Sequence, residues 1–198
     1  MIDKRTAISL DYGYRCLKLR RGGQKAQTYR DWKHEGDVVQ GLVRKTLEEH
    51  ISVARAMEAL EPKIAEAGQI CAGALQAGKR IYLCGNGGSA ADAQHIAAEL
   101  IGRFVGERRS LPAIALTTDT SALTAIGNDY GYEQVFSRQV EGLAEKGDVL
   151  IAISTSGNSL NILKAVEVAR ERGSRVIGLS GKSGGDLHNT VDLSLVVP

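Results

Sequence analysis

Between Val38 and Leu60 the apolar residues Leu42, Leu47, Ile51, Ala54 and Leu60 fall roughly on one stripe at helical spacing, which predicts an amphipathic helix. Pro62 suits the first turn of a second helix and Gly78 its end. Beyond Gly78 the pattern changes to short apolar runs. Arg80–Cys84, Ala113–Leu116, Asp148–Ser154, Arg175–Leu179 and Val191–Val196 read as strands. Helices are expected between them, at Ser89–Phe104, near Thr120–Ile126, at Tyr132–Ala144 and at Ser159–Arg172. Strands alternating with helices imply an α/β protein with a parallel sheet wound on both faces. Ligands of such sheets sit at the carboxyl ends of the strands, where loops meet helix N-termini.

Composition adds little to this and removes several alternatives. The chain has 198 residues, 43% of them apolar, enough for one packed domain with an appended arm. Residues 1–37 hold nine Lys/Arg against five acids, while the whole chain is only +2. They lack sustained periodicity and are expected to form a basic, irregular extension, with residues 38–198 as the domain. Without a recognisable nucleic-acid motif the basic arm reads as a solvated tail. The apolar runs are too short to span a bilayer, and no secretory leader is expected. Cys16, Cys71 and Cys84 show neither CxxC spacing nor an even count, which favours reduced thiols and a cytoplasmic protein.

Two loops then stand out. Cys84-Gly85-Asn86-Gly87-Gly88-Ser89 follows a strand and opens a helix. Its glycines let the backbone approach an anion, and the free N–H groups of the next helix, with the Ser89 hydroxyl, favour a phosphate. A tight strand-to-helix turn would use the same residues. The loop Ser154-Thr155-Ser156-Gly157-Asn158-Ser159 carries four hydroxyls in six residues, more than a helix cap requires. The surplus fits a ring of donors around phosphate oxygens.

The helix after the first loop carries two faces. Ala93, Ile96, Ala97, Leu100 and Phe104 form an apolar stripe, and Ser89, Asp92, His95, Glu99 and Arg103 a polar side. His95 and Glu99, at i and i+4, are placed to share a proton, a hydrogen bond or a metal, or to form an ordinary surface pair. The segment Gly127-Asn128-Asp129-Tyr130-Gly131-Tyr132 is expected to be a turn between helices, aimed at a ligand or serving only as a turn.

Taken in order, CGNGGSAADAQHIAAELIGRF (Cys84–Phe104), LPAIALTTDTSALTAIGNDYGYEQVFSRQV (Leu111–Val140), GDVLIAISTSGNS (Gly147–Ser159) and GLSGKSGG (Gly178–Gly185) resemble the phosphoheptose isomerases of the sugar isomerase (SIS) family. The resemblance runs from about residue 38 to the end. It implies a three-layer αβα sandwich, usually a homotetramer with active sites between subunits. It also implies conversion of sedoheptulose 7-phosphate to D-glycero-D-manno-heptose 7-phosphate, a precursor of lipopolysaccharide heptose. By the same resemblance Ser154, Thr155, Ser156 and Ser159 would hold the phosphate, Asn86, Gly87, Gly88 and Ser89 the sugar-phosphate site, and Asn128 and Asp129 further substrate atoms. His95 would ligate zinc, and Glu99 would both ligate zinc and act as the catalytic base.

Members of that family continue into a final helix bearing a Gln and a His that complete the zinc site, whereas this sequence ends at Val197-Pro198. The expectation is an incomplete zinc site and weakened activity. A second reading is a non-catalytic SIS domain that binds a sugar phosphate or a replication-initiator protein. Glu99 separates the two, because the initiator-associating relatives lack that carboxylate.

Overall fold

The computed structural model describes residues 29–198. It divides the chain into two units, up to Glu48 and from Glu49 onward, with the boundary inside the first helix. That helix, α1, runs Tyr29–Ala56. It begins ahead of the expected Val38, so residues 29–37 are helical rather than irregular. They carry no sustained apolar stripe, and periodicity alone misses such a segment. The rest of the basic arm lies outside the described residues. A 3₁₀ turn, Met57–Leu60, then leads into α2 (Glu61–Gln76), with Pro62 in its opening turn.

Five parallel strands follow: β1 (Ile81–Gly85), β2 (Ala113–Ala115), β3 (Val149–Ser154), β4 (Arg175–Gly181) and β5 (Leu193–Val197). They lie in the order β2-β1-β3-β4-β5. The chain order reverses beside β1, the topological switch point of a doubly wound sheet. Connecting helices are α3 (Gly88–Ile101), α4 (Thr120–Tyr130), α5 (Ser137–Leu143), α6 (Leu160–Glu171) and the short α7 (Leu187–Thr190). The α7 turn had no counterpart in the sequence reading, since four residues carry no period.

The strands read as continuous apolar runs because both faces are covered. Successive residues of β1 illustrate this. Tyr82 and Cys84 enter the cluster built by Phe136, Val140, Ile162 and Val166 of the α5–α6 side. Ile81 and Leu83 enter the opposite cluster with Leu75, Ala93 and Ala97 of α2 and α3. The three layers of an αβα sandwich follow from that alternation. Asp148, fully buried, fixes where the central strands begin. Its carboxylate accepts from the backbone N–H groups of Arg80 (2.9 Å) and Glu145 (2.8 Å).

The thiol of Cys84 lies wholly inside this core, and burial pushes its pKa up to about 12. Cys71 is raised in the same direction for the same reason. Both are free thiols, as the spacing implied. Among the described residues no helix is long and apolar enough to cross a membrane.

Tyr82 is almost wholly buried, and its hydroxyl donates to the Leu143 carbonyl at 2.9 Å. Tyr82→Phe removes the donor and keeps the packing, so it should cost about 1 kcal/mol of stability. Urea unfolding measures this, and an unchanged midpoint would show that the bond contributes nothing.

Candidate functional site

Both loops singled out by the sequence end at the carboxyl edge of the sheet, after the adjacent strands β1 and β3. The first turns at Gly87 (φ +57°), which caps α3 without any side-chain hydrogen bond. Ser89 is buried behind it, and its N–H bonds back to the Asn86 carbonyl at 3.0 Å.

Asn86 is the link between the two loops. Its side-chain amide donates to Asn161 Oδ1 at 2.9 Å and accepts from Asn161 Nδ2 at 2.8 Å. The Tyr132 hydroxyl donates to the same Asn86 oxygen at 3.1 Å. Asn161 is buried in the first turn of α6, directly after the hydroxyl loop. A reciprocal amide pair thus locks the β1–α3 loop to the start of α6. Asn161 did not emerge from the sequence, and Tyr132 only as part of the 127–132 segment, because each meets Asn86 only across a long stretch of chain.

In the hydroxyl loop Ser154 is buried, and its Oγ–H donates to Ser159 Oγ at 3.1 Å. Ser159 occupies the N-cap of α6 yet makes no side-chain cap bond. The N–H groups of Ile162 and Leu163 both donate to the Ser159 carbonyl at 3.0 Å, which leaves those of Leu160 and Asn161 at the start of α6 for a ligand. Thr155 and Ser156 are exposed, with Ser156 Oγ accepting from the Asn158 N–H at 3.2 Å. Gly157, at φ +70°, comes so close to Gly184 that a Cβ there would run into the Gly184 carbonyl oxygen. Hydroxyls, helix N–H groups and a narrow glycine corner make a cradle suited to a phosphate.

His95 and Glu99 meet on α3, with His95 Nε2 and Glu99 Oε1 3.2 Å apart. They border a cleft of about 240 Å³ with Ile96, Leu100, Phe104 and Arg108. Glu99 lies ten residues beyond Ser89, about 15 Å of helix rise. The Arg108 guanidinium anchors the end of this helix by donating to the carbonyls of Glu99, Leu100, Gly102 and Arg109 at 2.6–3.2 Å. Arg108 is a further residue that the sequence reading passed over. The helix stops at Ile101, so Arg103 lies off its polar face and pairs with Glu107 at 3.3 Å instead.

As a metal site the pair is short of donors. Among the described residues no group of three His, Cys, Asp or Glu side chains converges, whereas a protein zinc site supplies three or four ligands. One imidazole and one carboxylate do not make a zinc site by themselves. The expected turn at 127–132 also needs correction. Asn128 and Asp129 lie in the last turn of α4, exposed, and Asn128 Nδ2 donates to Asp129 Oδ1 at 2.8 Å. The backbone stays helical to Tyr130, and the break comes at Gly131 (φ +90°).

Comparison with known proteins agrees with this geometry. Residues 47–181 match the SIS domain family. The chain is 60% identical over 161 residues to a phosphoheptose isomerase of Nitratiruptor sp., covering 81% of this chain and 86% of that protein. The chain belongs to the phosphoheptose isomerases. Solved phosphoheptose isomerases share the fold. One from Neisseria gonorrhoeae superposes with a TM-score of 0.76 at 47% identity, covering 81% of this chain and 86% of its own. One from Francisella tularensis gives 0.75 at 41% identity, over 83% and 86%. As a phosphoheptose isomerase the protein is an enzyme acting on a sugar phosphate.

Gly157 and Gly87 give expectations of different size for the same substitution. Both have positive φ, but a Cβ on Gly87 meets nothing within 4 Å. Gly87→Ala should cost about 1–3 kcal/mol of backbone strain alone. Gly157→Ala must also displace the Gly184 backbone and should lower the melting temperature much further. Equal melting temperatures for the two variants would mean the Gly157–Gly184 contact is not made.

Proposed function

We propose that this enzyme interconverts sedoheptulose 7-phosphate and D-glycero-D-manno-heptose 7-phosphate in the cytoplasm, supplying heptose for lipopolysaccharide. The observation that carries the reading is the joining of two anion-suited loops by the Asn86–Asn161 amide pair, in a chain of this family. Ser154, Thr155, Ser156 and Ser159 hold the phosphate, helped by the N–H groups of α6. Asn86, Gly87, Gly88 and Ser89 border the sugar beside it, with Asn128 and Asp129 reaching its hydroxyls.

Glu99 serves as the base. Its carboxylate removes a proton from C1 of the open-chain ketose, leaving an enediolate. Return of the proton at C2, with the hydroxyl proton passing from O1 to O2, gives the aldose. Such a transfer needs a group of carboxylate basicity within hydrogen-bond reach. His95 beside Glu99 orients the carboxylate. Since the pair alone is too sparse for zinc, no step here is assigned to a metal.

The working enzyme is a homo-oligomer, a tetramer by family resemblance. Support comes from α1, where Val39, Val43, Leu47 and Ile51 recur every fourth residue and each is 50–58% exposed. Apolar residues in that pattern suit helix packing between copies. The distance along α3 between Ser89 and Glu99 further supports a site that more than one subunit completes.

Glu99→Gln keeps the side chain's size and removes its basicity. Turnover of sedoheptulose 7-phosphate should fall by about 10²–10⁴ while binding changes little. A variant that turns over at the parent rate would remove Glu99 from the mechanism. Changing Ser154, Thr155 and Ser156 together to Ala should weaken binding by a few kcal/mol, at about 1 kcal/mol per neutral hydrogen bond. Calorimetry with the sugar phosphate measures this, and unchanged affinity would move the phosphate elsewhere.

A further inference from the structure

The segment Gly178–Gly185 has no part in the mechanism so far, although it belongs to the family pattern. It ends β4 and passes behind the hydroxyl loop. There the Gly181 N–H donates to the Thr155 carbonyl at 3.1 Å, and the Leu187 N–H to the Gly157 carbonyl at 2.9 Å. The Asp186 N–H donates to Asn158 Oδ1, also at 2.9 Å. Every turn of the hydroxyl loop is thus tied to the chain that follows β4.

Within that segment Ser180 is 6% exposed, and its hydroxyl finds no hydrogen-bond partner among the described residues. A buried hydroxyl left unpaired is costly, and a native structure that keeps one calls for an explanation. Its position supplies one. Ser180 is the direct neighbour of Ser154 in the β3–β4 register. Residues two and four positions earlier fix the face. Ala152 and Leu150 on β3, and Val176 on β4, all enter the α5–α6 core cluster. The side chains of Ser154 and Ser180 therefore share one face of the sheet, on strands about 4.8 Å apart.

We infer that Ser180 is a positioning residue of the phosphate cradle, whose hydroxyl donates to Ser154 Oγ when Ser154 turns to the substrate's phosphate. In the structure Ser154 spends its proton on Ser159. A phosphate in the cradle takes the protons of both Ser154 and Ser159, and as the Ser154 hydroxyl swings from Ser159 to the phosphate a lone pair of its Oγ turns inward toward Ser180. Ser180 donates to it, giving a chain from Ser180 through Ser154 to a phosphate oxygen in which each bond polarises the next. The bond that the free protein lacks is made on binding.

This inference rests on the phosphate reading above, and one set of variants separates the two. Ser180→Ala, Ser180→Thr and the Ser154/Thr155/Ser156 triple alanine are compared by calorimetry, steady-state kinetics and thermal melting. Ser180→Ala is expected to melt at or above the parent temperature, because it removes an unpaired buried hydroxyl. It should bind sedoheptulose 7-phosphate about fivefold more weakly, the loss of one neutral hydrogen bond. KM should rise in step and kcat stay put, as when uniform binding is lost. Ser180→Thr, which retains the hydroxyl, should bind like the parent. Unchanged affinity in Ser180→Ala overturns the inference, whether or not its melting temperature moves, and so does a threonine variant as weak as the alanine. If the triple variant binds like the parent, the phosphate lies elsewhere and both readings fall. If only the triple variant loses affinity, the cradle stands and Ser180 has no part in it.

Discussion

Contact between two stretches of backbone, at Gly157 and at Gly184–Gly185, decides the shape of the site. A Cβ on Gly157 would strike the Gly184 carbonyl, and one on Gly185 would press on Asn158 Oδ1 and the Ser156 carbonyl. Only residues without side chains let the two loops lie this close. Once they do, the hydroxyls of Ser154 and Ser159 are brought within hydrogen-bond distance at the start of α6. A phosphate bound there would meet a largely pre-formed surface, which limits the ordering that opposes binding. The amide pair of Asn86 and Asn161 extends the same rigidity to the loop after β1. Pre-formed donors of this kind favour an anion without any cationic side chain.

The two ends of α3 do different work. Its N-terminal end, with Gly87 and Ser89, belongs to the sheet edge beside the hydroxyl loop. Its C-terminal turn carries Glu99, and there the backbone carbonyls are occupied by Arg108. A cation at a helix C-terminus complements the dipole as well as the unpaired carbonyls. The carboxylate proposed as the base is thus held on a fixed turn, with its partner His95 one turn earlier.

Much of this was legible in the sequence, for a definite reason. Strands buried on both faces give unbroken apolar runs, and the glycine-rich and hydroxyl-rich loops announce themselves by composition. The element order and the two loops followed from that. Interactions between distant residues were not legible. Asn161 looks like any polar residue opening a helix, Tyr132 like part of a turn, and Arg108 like a surface charge. Each acquires its meaning from a partner that only the fold supplies. The helical state of residues 29–37 and of Gly127–Tyr130 was missed for another reason, because polar helix residues carry no stripe and Gly-Asn-Asp reads locally as a turn. Ser180 was hidden differently again. A serine ending an apolar strand gives no hint that its hydroxyl is unpaired, and strand register alone sets it beside Ser154.

Arg108 also determines where the chain between α3 and β2 is free to vary. Its four carbonyl bonds join the end of the helix to Arg109, just ahead of β2, so the exposed stretch 103–107 is bypassed mechanically. Residues can be added to or lost from that bulge without shifting Glu99 or the edge strand, since the guanidinium rejoins the chain on its far side. Lysine, with one ammonium group, cannot span the same set of acceptors. The position of the helix end is therefore set by the residue at 108.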